Sequence, residues 1–527
     1  MSRSPVYGAC PIKGAVRGLV AVCWLVFASG EVLFAAALTS AGERAVRPPG
    51  VAGQFYPGDS ATLAHAVDSY DADALAPASH RPIALIAPHA GYIYSGQITA
   101  DAFRQAAAFD YELIVLLGTN HTAPAFHGVS VYARGAFRTP LGEVRVDESA
   151  AAALLAADPA FTFNEDVHVR EHSVEVMVPF VQRLFPHATI LPAIIGTTDR
   201  DLCTRCGEAV ASILRNRRAL IVASSDLSHY PDYDDALRVD GETLRAIASL
   251  DPRAIQTAMQ IKPDDAAHNL VTHACGEGPI LAAVVAARRL GGRSARIISY
   301  ANSGETALGD RTRVVGYGAV AITGDSLQDT GDPFARVTRG RDGKITPSAD
   351  GKRALLAFAR RTIRQYLEAE TAPLARGFAD DLEQPAGAFV TLKIHDELRG
   401  CIGHMADDLP LCQAVGYCAL QAAFNDPRFP PLRLEELPLV TIEISLLTPY
   451  QLVAGYADIQ VGRDGVRLEK DGHTAVFLPQ VAGEQGWDRD QLLDHLCEKA
   501  GLPSGSWKTG AAFYTFQATV FSETDRR

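Results

Sequence analysis

Ala84-Leu-Ile-Ala-Pro-His-Ala-Gly-Tyr-Ile-Tyr-Ser-Gly96 runs from a short apolar segment into a histidine and then into glycines. Residues 83–87 have the length and branched apolar content of a strand buried on both faces. Pro88 stops it, so His89 is predicted to project from the strand's carboxyl end, where open α/β sheets hold their ligands. Leu113-Ile-Val-Leu-Leu-Gly-Thr-Asn-His121 repeats the arrangement. Residues 97–109 have helix length, so the two histidine strands are expected to be parallel neighbours joined by one crossover. Arg218-Ala-Leu-Ile-Val-Ala-Ser-Ser-Asp-Leu-Ser-His-Tyr230 is a third version, ending in Asp226 and His229. Hydroxyls and a carboxylate at a strand end require polar partners, and a histidine three residues after an aspartate can be oriented by it as an acid/base. A single histidine is usually a satisfied core or surface residue, whereas matching strand ends point to a metal or catalytic site.

The chain's 527 residues supply material for roughly two to four domains. Hydrophobic residues make up 47% and charged residues 21%, which argues against disorder. A formal net charge of -12 and the lack of any polybasic stretch argue against broad nucleic-acid binding. Nine scattered cysteines are too few for a disulfide scaffold, and their odd number fits a reducing compartment.

Arg3, Lys13 and Arg17 precede an apolar run at 18–30, followed by Glu31 and a second run at 32–38. The first run is short for a spanning helix and suits a signal h-region, with Ala35-Ala-Ala37 as a cleavage site. The other reading is that translation starts downstream and residues 1–45 never enter the mature protein. Export or inner-membrane tethering thus stays open, with membrane contact expected only if residues 18–38 are retained.

Residues 47–59 form a loop rich in proline and glycine, read as an arm that packs Phe55 and Tyr56, and a helix follows at 60–70. A strand is expected at 129–132 and a turn and strand at 137–146, with Asp147 capping a helix that ends at 157. Within 166–180, His172, Glu175 and Val176 fall on one side of a helix by i, i+3, i+4 spacing. The His172/Glu175 pair either ligates a metal or is a helix-start pair held by the dipole. A strand at 188–196 leads into a helix at 198–215 that carries Cys203 and Cys206. These lack a second cysteine pair and lie inside a helical pattern, so packing is preferred to zinc or dithiol chemistry. Helical sequence covers 241–258. Cys275 stands before Gly276 and Gly278 at a helix start, where helix amides would acidify a thiol for thiolate chemistry or metal ligation. Strands at 295–300 and 314–322 close this half.

Residues 324–344 are polar and glycine-rich and read as a linker. A helix at 348–370, a hairpin at 387–403 turning at Asp396, a helix at 411–424, a rigid loop at 425–431 and a strand at 440–447 follow. The finish holds strands at 465–468 and 474–479, a helix at 487–500 and a strand at 512–521, which is an α+β pattern without a nucleotide loop. Cys401 lies between Gly400 and Gly403, so backbone can approach a ligand closely there, and Arg399 could hold an anion beside it. The plainer reading is a small buried thiol in a tight strand. His404 and Asp426 are further candidates for a site with Cys401.

Six ordered motifs make residues 46–323 resemble the Memo family: Val-Ala-Gly-Gln-Phe-Tyr-Pro57, Pro-His-Ala-Gly-Tyr92, Leu-Gly-Thr-Asn-His121, Glu-His-Ser-Val-Glu175, Ser-Ser-Asp-Leu-Ser-His229 and Cys275-Gly. Leu-Arg-Gly-Cys-Ile-Gly403 and Asp-Pro-Arg-Phe-Pro-Pro431 make residues 345–527 resemble the domain of the AMME-syndrome candidate protein. Together they resemble a fusion of the B and A proteins of the AmmeMemoRadiSam system. That resemblance implies an α/β fold, a sheet like that of class III extradiol dioxygenases flanked by helices, followed by a separate α+β domain. It implies metal ligation by His89, His121 and Cys275, a catalytic acid/base role for His229 with His172 lining the pocket, and a cytoplasmic location; the residues themselves add Asp226 to the catalytic candidates and Arg399 with Cys401 as a second-domain site. It also implies a radical-SAM partner and a small-molecule or peptide substrate. Dioxygenases of that class carry a carboxylate where the Memo pattern has cysteine. The softer thiolate favours copper or a redox role beside iron(II) and argues against ring cleavage. Two other classes remain: a non-catalytic module that presents the same pocket to a peptide or partner, and a cysteine-nucleophile hydrolase built on Cys275.

Overall fold

The computed structural model describes residues 45–77, 79–261, 267–307, 309–325, 334 and 345–526. The apolar segment at 18–38 and nearly all of the expected linker at 324–344 lie outside the described residues. No helix among those described is long and apolar enough to cross a membrane.

The first half is built on eleven strands: β1 (Val46–Arg47), β2 (Pro82–Ala87), β3 (Leu113–Thr119), β4 (Val129–Val131), β5 (Ala136–Thr139), β6 (Gly142–Arg145), β7 (Phe161–Thr162), β8 (Thr189–Ile195), β9 (Ala219–Ser224), β10 (Ser294–Asn302) and β11 (Gly316–Thr323). Eight of them form one mixed sheet in the order β10-β11-β2-β9-β3-β8-β4-β7. Its centre, β2-β9-β3-β8, is parallel, so the chain leaves β2, β9 and β3 along one rim. Alternate residues of β2 enter opposite cores, Leu85 and Ala87 on one face and Ala84 and Ile86 on the other. Both faces are therefore covered by helices, as the unbroken apolar runs require.

Three expectations need correction. The two histidine strands β2 and β3 are not neighbours: β9, buried on both faces, takes the central slot between them. The helix expected at 97–109 is Tyr92–Arg104, because the carbonyl of Gly91 accepts from the amides of Tyr94 and Ser95 and starts it at once. The helical stretch at 241–258 is two helices, Tyr233–Ala248 and Pro252–Met259. Leu250 is left-handed at φ 57° and Pro252 can donate no backbone hydrogen bond, so the first helix stops and Asp251 caps the second.

In the second half, β12 (Ala388–Ile394), β13 (Glu397–His404), β14 (Val440–Leu447) and β19 (Ala518–Ser522) form one four-stranded sheet. Helices Ala349–Ala369 and Leu411–Phe424 help build its core. The hairpin turns through His395 (φ 51°) and Asp396 (φ 66°), the paired positive values that match strand twist. A second sheet of β15 (Gln451–Val453), β16 (Gly465–Lys470), β17 (His473–Phe477) and β18 (Ala512–Phe516) has its own core with helix Arg489–Lys499. The single strand expected at 512–521 is thus split at Gln517 between two sheets: β18 pairs with β16 and β15, and β19 with β14.

The two halves touch directly. Arg376 reaches across to the fully buried Asp101 at 2.6 Å, Arg361 pairs with Asp73 at 2.9 Å and His65 with Glu368 at 3.2 Å. Ala372 and Leu420 pack with Ala307.

Candidate metal centre

Each loop at the parallel rim is pinned by hydrogen bonds. Asp226, just beyond β9, accepts from the amides of His89 (2.7 Å) and Ala90 (3.2 Å), tying the end of β2 to the end of β9. The Cys275 loop is tied to the ends of β9 and β3. Its amide donates to the carbonyl of Asp226 (3.2 Å), its carbonyl accepts from the Thr119 hydroxyl (2.9 Å), and the Gly276 amide donates to Ser225 Oγ (2.9 Å). Gly276 has to be glycine, since a Cβ there would lie 2.4 Å from Ser225 Cβ. At Gly118 a Cβ would lie 2.5 Å from Ser173 Oγ, so this glycine lets the His172–Glu175 turn press against β3.

The result is two overlapping groups of potential ligand atoms hinged on His89. His89, His121 and His172 form one and His89, Asp226 and Cys275 the other, with the atoms of each group within 4.8 Å of one another. The expected trio of His89, His121 and Cys275 is divided between them. Ring centroids lie 5.1 Å apart for His89 and His121, 5.4 Å for His89 and His172, and 4.5 Å for His121 and His172. His89 is buried at the floor, while His121 and His172 reach towards solvent.

The hydrogen bonds also fix which ring nitrogen is free. Ser224 Oγ gives its one proton to the carbonyl of Ser173 (2.5 Å), so towards His89 Nδ1 (2.7 Å) it can only accept. His89 therefore carries its proton on Nδ1 and turns a bare Nε2 to Cys275 Sγ at 3.3 Å. The Glu171 carboxylate accepts from His121 Nδ1 (2.9 Å), so Nε2 is the His121 nitrogen left to face the site. His229 donates Nδ1 to the carbonyl of Leu227 (2.9 Å). Histidines that ligate metal have their other nitrogen held in this manner.

The electrostatics agree. Burial, then the neighbouring histidine charges, push His89 well below the usual histidine range, and His172 falls to about 4 for the same causes. Both are thus neutral at pH 7, the form that ligates metal. Burial raises Asp226, against the His229 charge and the His89 amide. Glu171 would be raised by burial, yet its hydrogen bonds from His121 and the nearby histidine charges hold it down to about 2.

Several expectations change here. Glu175 does not join His172: it accepts from Arg47 (2.6 Å), from Tyr56 Oη (2.6 Å) and from the amides of Gly50 and Val51, fastening the amino-terminal loop. The buried Arg47 claims the carboxylate. The carboxylate beside the histidines is Glu171, which the sequence reading missed although it stands next to His172. The Asp226 carboxylate accepts from the backbone amides of His89 and Ala90, while His229 Nδ1 is taken by the Leu227 carbonyl, so Asp226 shapes the β2 loop and does not orient His229 through Nδ1. The Cys275 thiol is not acidified by its place at the helix start: burial, then Asp226, raise it well above the usual thiol range. The loop at 47–59 does cover the site, with Tyr56 buried and the half-buried Phe55 ring 4.6 Å from His172. Cys203 and Cys206 face the core, and all seven cysteines among the described residues are free thiols.

In the second half, Arg399 is not available for an anion beside Cys401. It forms a two-pronged pair with Glu436 (2.9 and 3.1 Å) and donates to the carbonyl of Pro430 (3.0 Å). The arginine next to Cys401 is Arg428, which donates to the Cys401 carbonyl (3.1 Å) and pairs with Asp426 (2.7 Å). Asp426 in turn accepts from the Cys401 amide (2.9 Å), whereas His404 pairs with Asp408 at 2.5 Å. Thr391 donates to Cys401 Sγ (3.2 Å), and burial raises that thiol.

The family model described as Memo-like protein matches residues 47–321, and the model described as AMMECR1 matches residues 356–521. A MEMO1 family protein of Aeropyrum pernix is 35% identical over 290 residues, covering 53% of this chain and 99% of that protein. MEMO1 family protein MTH_45 of Methanothermobacter thermautotrophicus is 33% identical over 282 residues, covering 52% and 98%. Among solved structures, uncharacterized protein PH0010 from Pyrococcus horikoshii is 37% identical, with a TM-score of 0.32, over 33% of this chain and 92% of that one. Uncharacterized protein JW3007 from Escherichia coli K12 is 12% identical, with a TM-score of 0.31, over 45% and 99%. With more than half of its length matched by the Memo model and relatives above 30% identity aligned over nearly their whole length, the chain belongs to the Memo family.

Proposed function

We propose that the Memo-like half binds a redox-active metal ion, iron(II) or copper, and acts with a radical-SAM protein on a small-molecule or peptide substrate. The observation that carries this reading is the set of bare imidazole nitrogens and one thiol facing each other at the rim, with the opposite nitrogens of His89 and His121 held by Ser224 and Glu171. His89, His121 and Cys275 are the proposed ligands, a nitrogen and sulfur set that suits iron or copper. Such an ion would supply electron transfer to or from a substrate bound at the rim.

The remaining residues have separate tasks. His229, with Nδ1 held by Leu227, offers its other nitrogen as a proton acceptor. Asp226 holds the loop that carries His89, and His172 with Phe55 forms the wall at the entrance. The radical-SAM partner is inferred from the joining of Memo and AMMECR1 domains in one chain, the two companions of that enzyme in the system this fusion resembles.

Titration of iron(II) and copper into the purified chain, His89→Ala and Cys275→Ser tests the ligand set; unchanged stoichiometry in both variants sinks it. Oxygen consumption with added reductant separates an oxidoreductase from a binding module, which would show no turnover dependent on His89. Co-purification with the radical-SAM protein from the same cells tests the partner, and loss of that protein under mild washing counts against it.

A further inference from the structure

Where the two halves meet, the structure leaves an open cleft of about 460 Å³, within the range of roughly 300–1,000 Å³ usual for small-molecule sites. One wall comes from the Memo-like half, through the loop bearing Gln54 and Phe55 and the helix start bearing Tyr94. The other comes from the second half, through Tyr366 and Glu370 on the helix that ends there and Phe424 on the last turn of its neighbour. Tyr366 and Phe424 form a corner, their centroids 4.7 Å apart and their planes 44° apart. The walls are held in place by the pair of Arg376 with the buried Asp101 and by the Arg361–Asp73 pair.

The chemistry of the lining is one-sided. Among the described residues it holds four aromatic rings with exposed or half-exposed faces (Phe55, Tyr94, Tyr366 and Phe424), one carboxylate and no basic side chain. Glu370 forms no ion pair with any described residue. Aromatic faces carry partial negative charge, and with a carboxylate beside them they attract a cation that sheds its water easily. An anion would find donors in Gln54 and the tyrosine hydroxyls but no cation, and Glu370 would oppose it; a cation gains from both the rings and the carboxylate.

We propose that this cleft binds a small alkylated ammonium compound, its cationic head against the Tyr366–Phe424 corner and Glu370. The second half thereby completes a binding site at the doorstep of the histidine cluster. Phe55 is common to both, lining the cleft while its ring packs 4.6 Å from His172. The site does not depend on the metal reading.

The test is calorimetric titration of the full chain with choline and with its uncharged isostere 3,3-dimethylbutanol. Cation–ring and carboxylate attraction predict choline to bind about five- to thirtyfold more tightly than the alcohol. Glu370→Gln and Tyr366→Leu, both at partly exposed positions, should each weaken choline and leave the alcohol unchanged. Unchanged circular dichroism checks that the variants fold. Equal affinity for the two compounds, no saturable choline binding, or choline binding untouched by both substitutions overturns the proposal. His89→Ala keeps the two readings apart: it should abolish metal binding and leave choline affinity intact.

Discussion

Glu171→Gln isolates the logic of the metal centre in one atom. The carboxylate is buried and faces three donors: the His121 amide at 2.6 Å, His121 Nδ1 at 2.9 Å and the Ser173 amide at 2.9 Å. A carboxylate can accept from all three, whereas a glutamine has one accepting oxygen and an NH2 that must meet a donor head-on. Leaving one buried donor unsatisfied costs about 1–3 kcal/mol of folding stability. Either flip sets the NH2 against a backbone amide, that of His121 at Oε2 or that of Ser173 at Oε1. With the NH2 at Oε1, His121 can move its proton from Nδ1 to Nε2 and accept from it, which relieves one clash and removes the lone pair from the site. Either way the centre suffers, and changes of this kind beside a ligand lower metal affinity about 10- to 100-fold. Competition against a chromophoric chelator reads the affinity, and urea unfolding of the metal-free protein reads the stability. A variant that binds metal within about threefold of the parent, outside that range, refutes the assignment of His121 Nε2 as a ligand atom. Lost stability with unchanged affinity would make Glu171 a structural anchor only.

Gly276→Ala should destabilise by about 1–3 kcal/mol through overpacking and weaken metal binding with it, because its Cβ would drive against Ser225 and shift Cys275. Gly483→Ala, where a Cβ meets open space, is the matched control and should be neutral or stabilising in the same urea assay. Arg376→Ala leaves the Asp101 carboxylate buried without its partner; since Arg376 itself is part-exposed, about 3 kcal/mol is expected, at the low end for such losses, and a loss below about 1 kcal/mol would show that the pair does not hold the halves together. Asp240 gives a pH signature. Burial pushes its carboxyl up to about 7 despite hydrogen bonds from the Ser228 amide and Tyr300 Oη. Between about pH 4 and pH 7 the folded chain then keeps a proton that the unfolded chain has released, so this group makes stability fall as pH rises through that window. The fall is at most ~4 kcal/mol, and urea midpoints across that range should lose this slope in Asp240→Asn.

Much of the site was legible because its signals are local. A buried apolar run that gives way to polar residues delivers them to the rim, and this held for His89, His121 and Asp226 alike. Ser224 was read as a hydroxyl needing a partner, and it holds His89. Pair assignments fared worse, because sequence spacing shows which residues can share a face but not which distant group claims them first. Arg47, 128 residues away, took Glu175 from His172, and Glu436 took Arg399 from Cys401.

By itself the sequence determined the element types, the two-part organisation and the family, since these follow from apolar periodicity, from turn residues and from motifs a few residues long. Only the tertiary structure decided that β9 lies between β2 and β3, that Glu171 and Ser224 set the histidine tautomers, and that the two halves share a cleft. Strand order, proton placement and domain contact depend on groups far apart in the chain, whose competition is resolved only when the core closes around them.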